Sequence, residues 1–454
     1  MATKEFPLVP ETVEPVNTKY RKITTQIPVP ESIPMLEKLR KGEPRSMGGQ
    51  PPVIWAGGEG VTVRDHWGNQ WLDFSAGVLV TSSGHGRPEI VKAIQDMAGQ
   101  GLYHAYAFPT QIRIQLVEEI TKLLPEPLKR VFLLTTGSEA TECCIKLART
   151  RGQQVGGNRK SVLVTFHNAF HGRTMGSQLA GGSPGLKTWI GDLDPRFVQV
   201  PYPDGFRQKD TSFDVFEKSL AEQGVSPDDV CGVMTETYQG GNATVMPAEY
   251  AQKLRKWCDS HKAVLIFDEV QAGFGRCGNW FGFQHCGIVP DLVACGKGIS
   301  GGMPLSAVLG TEELMSIYGP GEMTSTHSAN AICAAAALAN LQVIQKENLV
   351  ENAARLAPVL AEGAERIARA TRGRAGHWDS SGLVASLQFT KDGTTEPDPE
   401  PAWEMVRRAI QRGIMLFAPV GVGGCAIKIN PPLVITEDAL REGLEVLEQI
   451  AAEL

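Results

Sequence analysis

An acid and a lysine about 30 residues apart are the groups in this sequence best placed to do chemistry. Asp268-Glu269 follows the short apolar run Ala263–Phe267, and Lys297 follows a second run, Asp291–Cys295, with Gly296 and Gly298 on either side. Runs of that length without polar alternation read as buried strands. The gap between their ends is what one strand–crossover–strand unit needs. Acid and lysine are therefore predicted side by side at the carboxyl edge of a parallel sheet, where open α/β sheets bind ligands. A glycine-flanked lysine can approach a planar ligand and form a Schiff base with an aldehyde. A carboxylate at the neighbouring strand end can keep a pyridine nitrogen protonated, the pairing that pyridoxal phosphate chemistry asks of a protein. The plain alternative is an acid pair capping a turn and a surface lysine in a loop.

Two more stretches bring polar groups past a strand end. Thr135–Ala140, TTGSEA, follows Val131–Leu134 and opens a helix over Glu139–Arg149. The N–H groups and macrodipole at a helix start attract anions, and Gly137 would let a phosphate come close. Thr136-x-x-Glu139 is equally a capping box, which needs no ligand. Phe166–Thr174, FHNAFHGRT, lies beyond the next strand end, and His171 taken alone reads as a structural histidine.

Those ends need a sheet behind them. Short apolar runs alternate with helical segments at Val131–Leu134, Ser161–Phe166, Phe197–Val200, Val230–Met234, Ala263–Phe267, Leu292–Cys295 and Leu305–Leu309. That interleaving predicts an α/β fold with a mostly parallel sheet over residues 105–335. Before it, residues 1–50 read as an extended arm with one helix near Pro34–Lys41. Val61–Asp65 and Trp71–Phe74 then form a hairpin signal, and Pro88–Gln100 and Gln111–Leu124 are amphipathic helices. A long helix from Ala331 is predicted to leave the sheet domain. Residues 336–454 read as α+β: helices at Asn352–Ala370, Ala402–Arg412 and Glu437–Leu454, strands at Gly382–Phe389 and Gly424–Ile429.

The 454 residues are 42% hydrophobic and 21% charged, ordinary values for a globular protein, and call for two or three domains. A net charge of −6 gives no footprint for nucleic acid or an anionic membrane surface. No apolar run approaches a membrane span, and MATKEFPLVPETVEP has no secretory apolar stretch. Nine cysteines without a C-x-x-C pair suit a reduced, cytoplasmic setting. No nucleotide-binding glycine loop and no metal-ligand spacing stands out.

FDEVQAGFGRCG followed by GKGISGG resembles the signature of the class III aminotransferases, the ornithine/4-aminobutyrate type, a pyridoxal 5'-phosphate family of fold type I. The similarity runs from about Pro52 to the C-terminus. It implies a large cofactor domain and a smaller α+β domain built from both chain ends, here 51–104 and 336–454. It also implies roles: Lys297 holds the cofactor as a Schiff base, and Asp268 grips its ring nitrogen. Gly137 and Ser138 take the phosphate, Phe170 stacks on the ring, His171 lines the pocket, and Gln271 meets the phenolic oxygen. Glu236 is a further cofactor contact. Thr326 reaches the phosphate in the neighbouring subunit, which makes a homodimer with shared active sites; pairing of dimers into a tetramer stays open. Arg173 matches an arginine that contacts a substrate carboxylate, against the alternative of a structural salt bridge.

Three departures bear on substrate. The family's E-P-x-Q-G-E-G-G is here Glu236-Thr237-Tyr238-Gln239-Gly240-Gly241-Asn242-Ala243, so the gateway glutamate is Gly241. Its usual arginine partner falls on Lys428, a more mobile point charge than a guanidinium fork. Val78 stands where ornithine enzymes carry a tyrosine, which argues against a diamine substrate. The resemblance implies transfer of an amino group from an amino acid or amine, ω-amino acids favoured, to a 2-oxo acid. An epimerase, racemase or amine lyase on the same scaffold is the alternative, and a cofactor-free binding module is a distant third.

Overall fold

The protein is described as a computed structural model covering residues 4–454. It divides into two compact units, one of Met1–Arg87 with Asn352–Leu454 and one of Pro88–Glu351.

The unit Pro88–Glu351 is built on a seven-stranded sheet. In spatial order its strands are Leu128–Leu134, Ser306–Thr311, Leu292–Cys295, Val264–Asp268, Val230–Glu236, Val162–Phe166 and Phe197–Val200. Ser306–Thr311 runs antiparallel to both its neighbours, and the other pairings are parallel. All seven apolar runs are strands, and the mostly parallel sheet is the one expected. Their continuous hydrophobicity has a simple cause: both faces are covered. Leu265 and Phe267 pack into one core cluster with Phe281 and Phe283, while Val264 and Ile266 pack into another with Ala140, Cys144 and Leu147. Successive side chains of a strand point to opposite faces. Asp268 is thereby directed to the face of helix Gly137–Gly156, and Glu269 to the other.

The helix from Ala331 does not leave this unit. Ala331–Lys346 packs on Pro88–Gly99, with Ile90 against Ala336 and Ala339. The junctions accordingly fall at Arg87/Pro88 and Glu351/Asn352 rather than near 104 and 335. Asn330 caps that helix, its Oδ1 accepting from Ile332 and Cys333 N–H at 3.1 and 3.3 Å. Ala329 before it takes φ of +51°, a left-handed position that glycine would occupy without strain.

The other unit has a six-stranded sheet and a three-stranded one. Within the expected N-terminal arm, Val16–Asn17 and Lys22–Ile23 pair, and Lys22 continues onto Gln70 of the predicted hairpin. Ala375–Ser381, which has no strand-like pattern, pairs antiparallel with Val384–Phe389, which in turn pairs with Ala426–Ile429. Lys428 lies in that last strand opposite Ser386 and is buried. Val78 is 41% exposed in a left-handed turn, where Ala76, Gly77, Val78 and Leu79 have φ of 46°, 57°, 64° and 63°.

Candidate active site

Sheet register brings the predicted acid and lysine to neighbouring ends. Asp268, the last residue of its strand, pairs with Glu236 on one side and Ala294 on the other, and Lys297 begins a 3-10 turn just past Cys295. Lys297 has φ of +43°, and its turn is held from helix Ala331–Lys346. There Asn340 Nδ2 donates to the carbonyls of Gly298 and Ile299 at 2.9 and 3.1 Å. Protein surrounds Lys297 on most sides while part of its surface stays accessible, as a cleft requires. Burial lowers its pKa; the charges of Asp268 and Glu236 oppose that without cancelling it. The result is an amine nearer its neutral, nucleophilic form at working pH.

Asp268 is held by its neighbours. Its Oδ1 accepts the Val270 N–H at 3.1 Å, and its Oδ2 lies 2.8 Å from His171 Nδ1. A carboxylate only accepts, so that ring nitrogen carries the hydrogen. His171 Nε2 is buried with no hydrogen-bond partner among the described residues. Burial works against a charged His171, but the bond to Asp268 and the charges of Asp268 and Glu236 outweigh it, and the pKa is raised. The ring therefore fixes the orientation of the Asp268 side chain.

Glu236 sits beside them. Its Oε1 accepts the Gly240 N–H at 2.7 Å and its Oε2 the Phe170 N–H at 3.2 Å, which ties the 166–174 loop to the strand end. Burial, with Asp268 adding, pushes its pKa up to about 7 despite His171 and those two donors. A carboxyl whose pKa is higher folded than unfolded stabilises the fold below its unfolded value, and that contribution is lost as pH rises through the folded one. Apoprotein stability should thus fall between about pH 4.5 and about 7, with Glu236 contributing on the order of 3 kcal/mol to the fall. Glu236→Gln should flatten the curve of melting temperature against pH; equal slopes in the two proteins would refute the assignment.

The helix start expected to attract an anion is a capped N-terminus. Helix Gly137–Gly156 starts after Thr136, whose side chain accepts from Glu139 N–H while Glu139 Oε2 accepts from Thr136 N–H at 2.8 Å. The capping box is real, and it leaves the Gly137 and Ser138 N–H groups at the helix mouth without intrahelical acceptors. A Cβ on Gly137 or on Gly296 would lie 3.1 or 3.2 Å from a Val270 methyl, so two glycine backbones flank that side chain. Val270 was not singled out from the sequence; only its position between the phosphate loop and the lysine loop marks it. Gly172, at φ of +129°, lets its loop close on Ser138, whose Oγ would be 2.3 Å from an added Cβ.

Phe170 is 37% exposed, an aromatic face left open at the edge of the site, and the Arg173 guanidinium lies 5.6 Å from its ring centre. Arg173 is exposed and forms no ion pair among the described residues. Gln271 packs against Gly240, and Gly241 follows on the same loop. Thr326 is exposed on the segment between Ile317 and Asn330. Val78 and Lys428 belong to the other unit. The donor set of this unit fits pyridoxal phosphate: an amine for the aldehyde, a fixed carboxylate for the ring nitrogen, a helix mouth for the phosphate, and side chains of Val270 and Phe170 for a flat ring.

Known proteins agree. The family described as Aminotransferase class-III matches residues 46–451. The chain is 31% identical to a 4-aminobutyrate aminotransferase of Mycobacterium leprae over 95% of this chain and 98% of the relative. It is 29% identical to an alanine/serine racemase of Pyrococcus horikoshii over 98% of this chain and 95% of that one. An amine transaminase from an uncultivated Pseudomonas species, solved in its PLP-bound form, superimposes with a TM-score of 0.81 at 27% identity. That likeness covers 88% of this chain and 95% of the other. The fold is therefore that of fold-type-I transaminases, and the chain belongs to the class-III aminotransferases, enzymes that move amino groups with pyridoxal phosphate.

Proposed function

We propose that the enzyme takes an amino group from an ω-amino acid or amine and delivers it to a 2-oxo acid, with Lys297 as the residue that carries the cofactor and the proton. The observation that supports this best is the pairing of a partly enclosed, pKa-depressed lysine with a carboxylate fixed at the adjacent strand end. Bound pyridoxal phosphate supplies an aldehyde that takes up the substrate amine and a ring that spreads the electron pair left when a proton departs. Asp268, backed by His171, keeps the ring nitrogen positive. Lys297, whose amine would be released when the substrate amine takes its place, would carry the proton from the substrate carbon to the former aldehyde carbon. Gly137 and Ser138 hold the phosphate with the helix dipole, Gln271 meets the phenolic oxygen, and Phe170 covers a ring face. Arg173, Gly241, Val78 and Lys428 are carried as substrate contacts on the family resemblance.

We further propose a homodimer in which Thr326 serves the partner's phosphate site. Tyr103, Tyr106 and Phe108 are 60%, 40% and 74% exposed. They sit on a segment bonded to that of Thr326, through Tyr106 Oη to Thr324 Oγ1 at 3.0 Å and Asn330 Nδ2 to the Tyr103 carbonyl at 2.7 Å. Exposed apolar groups concentrated there suit an interface. Sedimentation as a monomer would remove this part. A cytoplasmic setting is supported by nine cysteines, all buried and unpaired. No helix of the described residues is long and apolar enough to cross a membrane.

The test is to mix holoenzyme with one donor at a time in deuterated water without acceptor. One oxo product per site and loss of the near-visible absorbance are expected. Sustained racemisation with deuterium at the α-carbon and no oxo product would replace amino transfer by the epimerase reading, which the change at Gly241 keeps worth testing.

A further inference from the structure

Beneath the Asp268 site, on the opposite face of the same sheet, lies a second acid that the reaction does not use. Glu269 is fully buried. Its carboxylate accepts from the Thr237 hydroxyl, from the Gly282 N–H at 2.6 Å and from the Phe283 N–H at 3.1 Å. Its backbone N–H donates to the Ala294 carbonyl at 2.8 Å, three residues before Lys297. This one residue is therefore bonded to the strand end carrying Glu236, to the one leading to Lys297, and to the turn Gly282–Cys286. It also adjoins Asp268 in sequence.

Thr237 is the informative partner. The family pattern to which this stretch is similar has proline there, which has no hydroxyl to donate. Thr237 is 1% exposed, its carbonyl accepts from Met246 N–H at 2.9 Å, and a Cβ on Gly282 would lie 2.7 Å from its Cγ2. Backbone thus packs against one side of the threonine while its hydroxyl meets the acid.

We propose that Thr237 and Glu269 are a positioning pair. The hydroxyl-to-carboxylate bond fixes the strand end of Glu236 against that of Asp268 and sets the pH range over which the site works. The pair touches neither substrate nor cofactor; it acts through Glu236 and Asp268, and so rests on the reading of Asp268 and Lys297 as the reacting site. Groups that titrate around Glu269 come from every element packed on it. They are Glu236 and Tyr238 beside Thr237, Cys286 of the turn, Cys295 of the lysine strand, and Asp268 on its own strand. Burial pushes the Glu269 carboxyl up to about 7 even though three donors favour its charged form, so losing one donor raises it further.

The experiment compares Thr237→Val, which keeps the shape and removes the hydroxyl, with Thr237→Ser, which keeps the hydroxyl, in the full holoenzyme. The profile of kcat/KM against pH and the pH titration of the bound cofactor's absorbance are read for both, and the apoprotein is melted across the same range. Thr237→Val should move the profile and the absorbance titration upward by about one pH unit, with kcat changed more than KM. Thr237→Ser should follow the parent. If Thr237→Val lowers the melting temperature but leaves both titrations in place, or if the serine variant moves with it, the pair is packing alone. Borohydride labelling judges the site reading separately. A label away from Lys297 would overturn that reading, while the apoprotein melts would still report on the pair.

Discussion

Lys297→Ala protein should show no near-visible absorbance from covalently held cofactor, and kcat should fall on the order of 10⁴-fold or more. Two functions are lost in one substitution: the amine that accepts the aldehyde and the base that moves the proton. The acids beside it do not replace it, since Asp268 at the adjoining strand end and Glu236 one strand further cannot condense with an aldehyde. The fold should tolerate the change. A lysine whose pKa burial depresses is a cost to the native state, so the variant is expected to melt no lower than the parent. A readout independent of turnover is borohydride reduction of the parent holoenzyme followed by peptide mapping. The cofactor mass should sit on the peptide containing Lys297 and be missing from the variant. A label on another peptide would end the assignment.

Asp268→Asn should be the next most damaging change, lowering kcat on the order of 10³-fold. The amide has nearly the shape of the acid and can still accept from His171 Nδ1, so folding and cofactor retention should survive. Its lost charge leaves the ring nitrogen without a partner that holds a proton there. It also removes the Asp268 charge that helps raise the His171 pKa, which should then drop under burial. The absorbance maximum of bound cofactor and its pH titration should both move. Parent-like kcat in Asp268→Asn would show that the carboxylate is structural. His171→Asn should give a milder loss of the same kind, because it disturbs the acid only through the 2.8 Å contact.

Much of this site was legible along the chain because its parts follow strand ends. A parallel sheet covered on both faces makes each strand a short apolar run, and the first polar residue after it marks the carboxyl edge. Asp268 and Lys297 are found that way, the helix start at Gly137 follows another such run, Glu236 came only from the family resemblance, and the seven runs predicted the seven strands of the large sheet. Elements set by distant pairing were not legible. Ala375–Ser381 is a strand because Val384–Phe389 offers it a partner, not because AGHWDSS alternates. The helix from Ala331 looked ready to leave its domain, and Ile90, far earlier in the chain, is among the side chains that keep it there.

By itself the order of residues determined the family and its cofactor, and put a lysine, an acid one strand away and a helix start past the ends of apolar runs. Tertiary structure alone decided that Asp268 leans on His171 while Glu269, its immediate neighbour, reaches Thr237 and the 282–283 turn on the other side. The physical reason is the pleat. Adjacent residues of a strand leave the sheet on opposite faces, so two acids that read alike in sequence enter different environments once the strand is set in register.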